Sequence, residues 1–185
     1  MTNVVVISGS PSPNSKTARI GDMVVDQLRA SGIDAVGLRL RELSPEALLR
    51  ADTSEASMAD AIQMVSEASG IVIATPVFKA SFSGLLKAFL DVLPQFGLAG
   101  KVVLPLATGG SLAHVLALDY GLRPVLQSMM PEHIAPSFFI LEKWVVTAPE
   151  FRLEDEAMSS LRQAVTRFET ALPRYTMAAL ADVEA

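Results

Sequence analysis

The segment Ser8-Gly9-Ser10-Pro11-Ser12-Pro13-Asn14-Ser15-Lys16-Thr17 places four hydroxyl side chains after one glycine, at Ser10, Ser12, Ser15 and Thr17, with a cation at Lys16. Hydroxyls donate hydrogen bonds without fixing a charge in a site. Where such a loop leads from a strand into a helix, the unpaired N–H groups and partial positive charge of the helix start favour a phosphate. Gly9 permits a close backbone approach. The spacing is neither GxxxxGK[ST] nor GxGxxG, which argues against a P-loop nucleotidase and against a Rossmann dinucleotide fingerprint. Taken alone, an ordinary capped turn explains the segment equally well.

A second segment, Ala74-Thr75-Pro76-Val77-Phe78-Lys79-Ala80-Ser81-Phe82-Ser83-Gly84, combines stiff apolar residues with a lysine that resists unpaired burial. Pro76 and Phe78 offer an apolar surface to a flat ring, backbone groups from Val77 to Ser81 offer hydrogen bonds to its polar edge, and Ser83 suits a helix cap. A third segment, Thr108-Gly109-Gly110-Ser111, lets the backbone pass close to such a ring, although a plain glycine turn accounts for it as well. Chemistry elsewhere is sparse. There is no cysteine, which excludes disulfides, Cys-ligated zinc, Fe–S clusters and a thiol nucleophile. The two histidines, His114 and His133, lack metal-ligand spacing, so no metal site is expected. His114 reads as a helix-start or interface residue and His133 as a solvated residue at a helix end.

These segments need a scaffold. Val4–Ile7, Ala35–Leu40, Ile71–Ala74, Lys101–Ala107 and Ile134–Leu141 read as strands, with Pro105 an awkward member because it removes a ladder donor. Helical periodicity covers Thr17 to Ser31, with Ile20, Met23, Val24 and Leu28 on one stripe. Helices are also expected from Pro45, over 57–68, over 85–93, over 112–130 and over 154–172. Five strands alternating with helices suit an α/β doubly wound parallel five-stranded sheet of flavodoxin-like order 2-1-3-4-5, with helices on both faces. Ligands of that fold lie beyond the carboxyl ends of the strands where strand order reverses, which gathers all three segments.

The chain of 185 residues is expected to form one domain over 1–175 with a tail at 176–185. Half of it is hydrophobic, 19% is charged and the net charge is -5. That balance disfavours nucleic acid as a partner and points to apolar surface covered by another subunit. The longest apolar runs are too short for a membrane span or a signal peptide, so a cytoplasmic protein is expected.

The three segments, with Lys87 and the stretch from Lys101 to Ser111, resemble the NADPH-dependent FMN reductases. The continuation Ala113-His114-Val115-Leu116-Ala117-Leu118-Asp119-Tyr120-Gly121-Leu122-Arg123-Pro124-Val125-Leu126 resembles the reductase component of two-component alkanesulfonate monooxygenase systems. The resemblance implies NAD(P)H-dependent reduction of FMN, held loosely or used as a substrate. NADPH is the implied donor, with NADH open. It also implies release of reduced flavin to a partner monooxygenase acting on an organosulfonate, and a homodimer or homotetramer. By position, Ser10, Ser12, Ser15, Lys16 and Thr17 would hold the FMN phosphate. Pro76, Val77, Phe78, Lys79 and Ser81 would border the ring, and Gly109, Gly110 and Ser111 would take its other side. Phe78 replaces a tyrosine common in the family.

The family also carries an inserted tyrosine at Tyr120, linked to a π-bulge at the subunit interface. Independently, Pro124 has no N–H for the Tyr120 carbonyl and Gly121 loosens the helix, so a bulge there is expected. Tyr120 is the residue to which a role in flavin transfer attaches. Hydride transfer between stacked cofactors needs no side-chain acid, so no catalytic side chain is assigned. A bound-FMN quinone or azo reductase and a flavodoxin-like electron carrier are the competing functions on this fold.

Overall fold

The computed structural model describes residues 3–181. In chain order its elements are β1 (Asn3–Ser8), α1 (Lys16–Ala30), β2 (Asp34–Arg39), α2 (Pro45–Arg50), α3 (Ala56–Glu67), β3 (Gly70–Phe78), β4 (Ser81–Phe82), α4 (Gly84–Val92), β5 (Val102–Gly109), α5 (Arg123–Ser128), β6 (His133–Ile134), β7 (Phe138–Leu141), β8 (Val145–Val146), β9 (Arg152–Leu153) and α6 (Asp155–Ala181). Strands β2, β1, β3 and β5 lie side by side in parallel, and β6 and β7 share the outer edge of β5. This is the doubly wound flavodoxin-like order, with the fifth strand in two pieces. Of the expected tail at 176–185, helix α6 spans the part to Ala181, and 182–185 lie outside the described residues.

Alternation along the strands builds a core on each face. Val5, Ile7, Ile71, Ile73 and Val103 point to the side covered by α2, α3, α4 and α5. Val4, Val6, Val72, Leu104 and Leu106 point to α1 and α6. Helix α1 forms where the sequence asks for it. The Ser15 hydroxyl accepts from the Ala18 N–H at 3.0 Å, the stripe of Ile20, Val24 and Leu28 is fully buried, and Gly32 leaves the helix at φ +79°. Among the described residues no helix is long and apolar enough to cross a membrane.

Four expectations need correction. The stretch Thr75–Ser83 is not an open loop. Strand β3 runs on to Phe78, and β4 folds back on it with Val77 opposite Phe82 and Phe78 opposite Ser81. Lys79 and Ala80 both take positive φ, +50° and +63°, the two-residue geometry that matches strand twist. The helix expected over 112–130 is three pieces: a 3₁₀ turn at Leu112–His114, a π-turn at Ala117–Leu122, and α5. The fifth strand breaks between Ile134 and Phe138. Opposite Leu104 and Pro105 it spends three residues, 135–137, so the ladder resumes one residue out of step. His133 ends no helix. It is half-buried in β6, with its backbone N–H on the Lys101 carbonyl at 3.4 Å.

Candidate functional site

The first segment leaves β1 and is folded tightly before α1 begins. Gly9 donates its N–H to the Ala74 carbonyl at 2.8 Å, and its own carbonyl accepts from the Ser83 hydroxyl at 2.5 Å. A Cβ on Gly9 would stand 2.9 Å from Leu86 Cβ and 3.1 Å from Ser83 Oγ. The start of α4 is enough to require glycine here. Ser10 is buried, and its hydroxyl accepts from the Ser12 N–H at 3.4 Å. Ser12 is exposed. Ser15 caps α1 while its hydroxyl proton remains available, and the Lys16 and Thr17 N–H groups in the first turn have no partner within the helix. Lys16 Nζ reaches Glu142 Oε2 at 3.4 Å.

The hairpin β3–β4 carries the second group. Pro76 is buried, Val77 and Ser81 are half-buried, and Phe78 is 50% exposed beside Lys79, which stands in solvent. Behind the hairpin a buried relay fixes its base. The Thr75 hydroxyl donates to the Pro76 carbonyl at 3.0 Å and accepts from the Ser83 N–H at 3.0 Å, and the Ser83 hydroxyl caps α4 through Leu86 N–H at 3.1 Å. Ser83 was expected as a cap. Its hold on Gly9 needed the tertiary structure.

The third group follows β5. Thr108 Oγ1 and Thr17 Oγ1 lie 2.5 Å apart in a buried hydrogen bond that ties this segment to α1. The sequence singled out the segment beginning at Thr108 but not this bond, because nothing local pairs position 108 with position 17. A Cβ on Gly109 would lie 2.7 Å from the Phe139 ring, so packing explains that glycine, whereas around Gly110 the space is open. Ser111 is exposed and caps the following 3₁₀ turn through the Ala113 N–H at 3.2 Å. His114 closes that turn, half-buried. The three groups are thus joined by hydrogen bonds at one end of the sheet.

The donor set fits a phosphate bound through neutral hydroxyls and helix-start N–H groups. The buried Ser8 hydroxyl at the end of β1, with no hydrogen-bond partner, adds a further polar group at this point. Beside the first segment, towards β2, a cavity of about 310 Å³ gathers Arg19, Arg39 and Arg41, a basic cluster that the sequence did not reveal. Its charge is largely spent internally. Arg39 holds both Asp22 oxygens at 2.9 and 3.0 Å, Glu42 takes Arg41 at 3.1 Å, and Arg19 lies 4.0 Å over the Phe151 ring. The hydrogen bond to Asp22, then its charge, raises the Arg39 pKa further.

The model of the NADPH-dependent FMN reductase family matches residues 2–145. The chain belongs to this family. The reductase is 37% identical to the FMN reductase (NADPH) of Pseudomonas putida over 174 residues, covering 92% of this chain and 88% of that one. To the FMN reductase (NADPH) of Escherichia coli K12 it is 35% identical over 179 residues, covering 92% and 93%. Among solved structures, the apo form of an NADH:FMN oxidoreductase (EMOB) shares 48% identity with a TM-score of 0.87, covering 92% of this chain and 90% of that one. A Streptococcus pneumoniae flavodoxin at 16% identity and a TM-score of 0.63 shares the fold. The reductase is therefore an oxidoreductase whose chemistry passes electrons from a nicotinamide nucleotide to FMN.

Proposed function

We propose that the protein is a flavin-transferring reductase: it reduces FMN with NAD(P)H and releases the reduced flavin to a separate monooxygenase. The observation that carries this reading is the hydroxyl-rich start of α1, locked to the hairpin through Ser83 and to β5 through Thr108. In this reading the hydroxyls of Ser10, Ser12, Ser15 and Thr17, with Lys16, hold the FMN phosphate. Pro76, Val77, Phe78, Lys79 and Ser81 border the ring, and Gly110 and Ser111, with Gly109 behind them, close its other side. When bound, FMN supplies the two-electron acceptor for the nicotinamide hydride. The chain's own contribution is orientation, because rate follows from holding the two rings in register. Neutral donors at the phosphate, with Lys16 shared with Glu142, suit a flavin that is exchanged.

Relatives named NADH-dependent FMN reductase SfnF and SfnE, from Pseudomonas putida, are each 35% identical over about two thirds of this chain. They keep NADH open as donor beside NADPH. An organosulfonate as the partner's substrate, and a cytoplasmic location, complete the proposal. The stretch from Leu112 to Tyr120 exposes Leu112, Leu116 and Tyr120, the last to 79%, which supports coverage by a second copy as a homodimer or homotetramer. Tyr120 on that stretch is assigned to flavin exchange.

The test is NADPH oxidation at increasing FMN, with the protein's own flavin absorbance recorded first. Little bound flavin and a rate that saturates with FMN support the proposal. A yellow protein whose rate ignores FMN and rises with a quinone or azo dye overturns it, as does a yellow protein that leaves NADPH untouched. Tyr120→Ala should alter flavin retention or transfer to an FMNH2-dependent monooxygenase; unchanged behaviour in both removes that role.

A further inference from the structure

The outer edge of the sheet has lost one ladder hydrogen bond, and a side chain replaces it. Val103 pairs with Ile134, which puts Ala135 opposite Leu104, and the Ala135 N–H donates to the Val103 carbonyl at 2.8 Å. In a parallel ladder the carbonyl of the same residue takes its bond from the next N–H along the neighbouring strand. That position is Pro105, which has none. Arg123 supplies the donor. Its Nη2 reaches the Ala135 carbonyl at 3.1 Å and Ser137 Oγ at 3.2 Å, and its Nη1 reaches the Ile134 carbonyl at 3.4 Å.

The same guanidinium holds the π-turn. Its Nε donates to Asp119 Oδ1 at 3.4 Å, and the Ser137 hydroxyl donates to that oxygen at 3.2 Å. Leu118 and Leu122 of the turn are buried in the core. Gly121 packs on the returning arm of the hairpin, where a Cβ would lie 3.6 Å from Ser81 Oγ and 3.9 Å from Phe82 Cδ1. A continuous set of contacts therefore runs from Pro105 through Arg123 and the π-turn to β4.

We propose that Arg123 is a positioning residue for flavin: by standing in for the donor that Pro105 lacks, it fixes the π-turn against Ser81–Phe82 and so sets the hairpin beside the ring. The proposal rests on the reading that this hairpin borders FMN. A π-turn differs from an α-helix by one extra residue, so releasing the guanidinium lets the turn change register and moves Gly121 off the hairpin. Lysine at 123 keeps a cation for Asp119 but loses the planar fork that spans two carbonyls and a hydroxyl.

The experiment measures steady-state kinetics at saturating NAD(P)H, well below the melting temperature. Arg123→Lys is expected to raise KM for FMN at least fivefold, with kcat within twofold of the parent. Adding Pro105→Ala to Arg123→Lys restores the ladder donor, so Tm recovers while KM for FMN stays raised. A KM within twofold of the parent in Arg123→Lys overturns the proposal. So does a double variant in which KM returns with Tm, since Arg123 would then serve the sheet edge alone. Ser137→Ala keeps every backbone contact and remains testable if Arg123→Lys does not fold: a rise of twofold or more in KM for FMN is expected, and no rise counts against positioning. Ser10→Ala run in parallel separates the two readings. If it leaves KM for FMN unchanged, the assigned site is wrong and this proposal falls with it. If it raises KM while Arg123→Lys does not, the site stands and Arg123 is not a positioning residue.

Discussion

Ser10 is the sharpest single residue of the first segment. It is buried, and its hydroxyl holds the Ser12 N–H, so the side chain is preset before any ligand arrives. A hydrogen bond to a charged group contributes about 1.5–3 kcal/mol, which is about 10- to 150-fold in affinity. Ser10→Ala should weaken FMN binding by about that factor and leave riboflavin, which has no phosphate, near its parent value. Fluorescence titration with both flavins checks this, and an equal loss for the two would remove Ser10 from the phosphate. Ser15 shows that the two explanations open in the sequence do not compete: it is an ordinary helix cap that accepts from the Ala18 N–H, and accepting leaves its hydroxyl free to donate.

At the scale of elements, the ends of helices and strands are held by side chains from distant segments. Ser83 caps α4 and grips Gly9, and Thr108 meets Thr17. At the opposite end of the sheet, Lys101 is 8% exposed and its ammonium donates to the carbonyls of Ser66 and Ala68 at 2.7 Å each, closing the carboxyl end of α3. Burial pushes the Lys101 pKa below the ordinary lysine range. Lys101→Met orphans both carbonyls and should cost about 1–3 kcal/mol in urea unfolding at neutral pH. The pH dependence follows from the depressed pKa. The folded state releases this proton before the unfolded state does, so between the two pKa values the unfolded chain holds more protons and stability rises with pH. The methionine variant lacks that gain. Its deficit against the parent should therefore widen as pH climbs from the depressed value towards about 10.4; a deficit that shrinks over that range would contradict the burial argument.

The whole molecule separates a rigid two-faced core from a site assembled on one end of it. Phe168 on α6 is fully buried against β3, where a Cβ on Gly70 would lie 2.8 Å from its ring. Phe168→Ala should cost about 3–5 kcal/mol, the usual range for a buried aromatic truncated in a core. The surviving folded protein should keep its KM for FMN, because α6 and the three site segments lie on different parts of the sheet. Urea midpoints and KM measured on the same preparation test both halves of that statement. A large shift in KM would mean that the core and the site are not separable.

Much of this was legible in the chain itself. Five apolar runs with helical stripes between them determine a doubly wound sheet, because a strand buried on both faces and a helix buried on one leave different periodicities. The hydroxyl cluster before a helix, the cap at Ser83 and the pairing of Gly121 with Pro124 are local signals, and each led to an element found at that place. Other features were decided only in three dimensions. Lys79 and Ala80 carry no glycine to announce a hairpin, and the tight turn follows from β4 pairing back onto β3. The glycines at 9 and 109 look like room for a ligand, yet Leu86 and Phe139 explain them, and neither neighbour is near in sequence. Pro105 signalled a lost donor, but its replacement by Arg123, and the break in the outer strand that accompanies it, depend on a register between segments about 30 residues apart. Periodicity and capping act within a few residues and can be read from the sequence; close approach and side-chain substitution for a backbone bond exist only once distant segments share the same space.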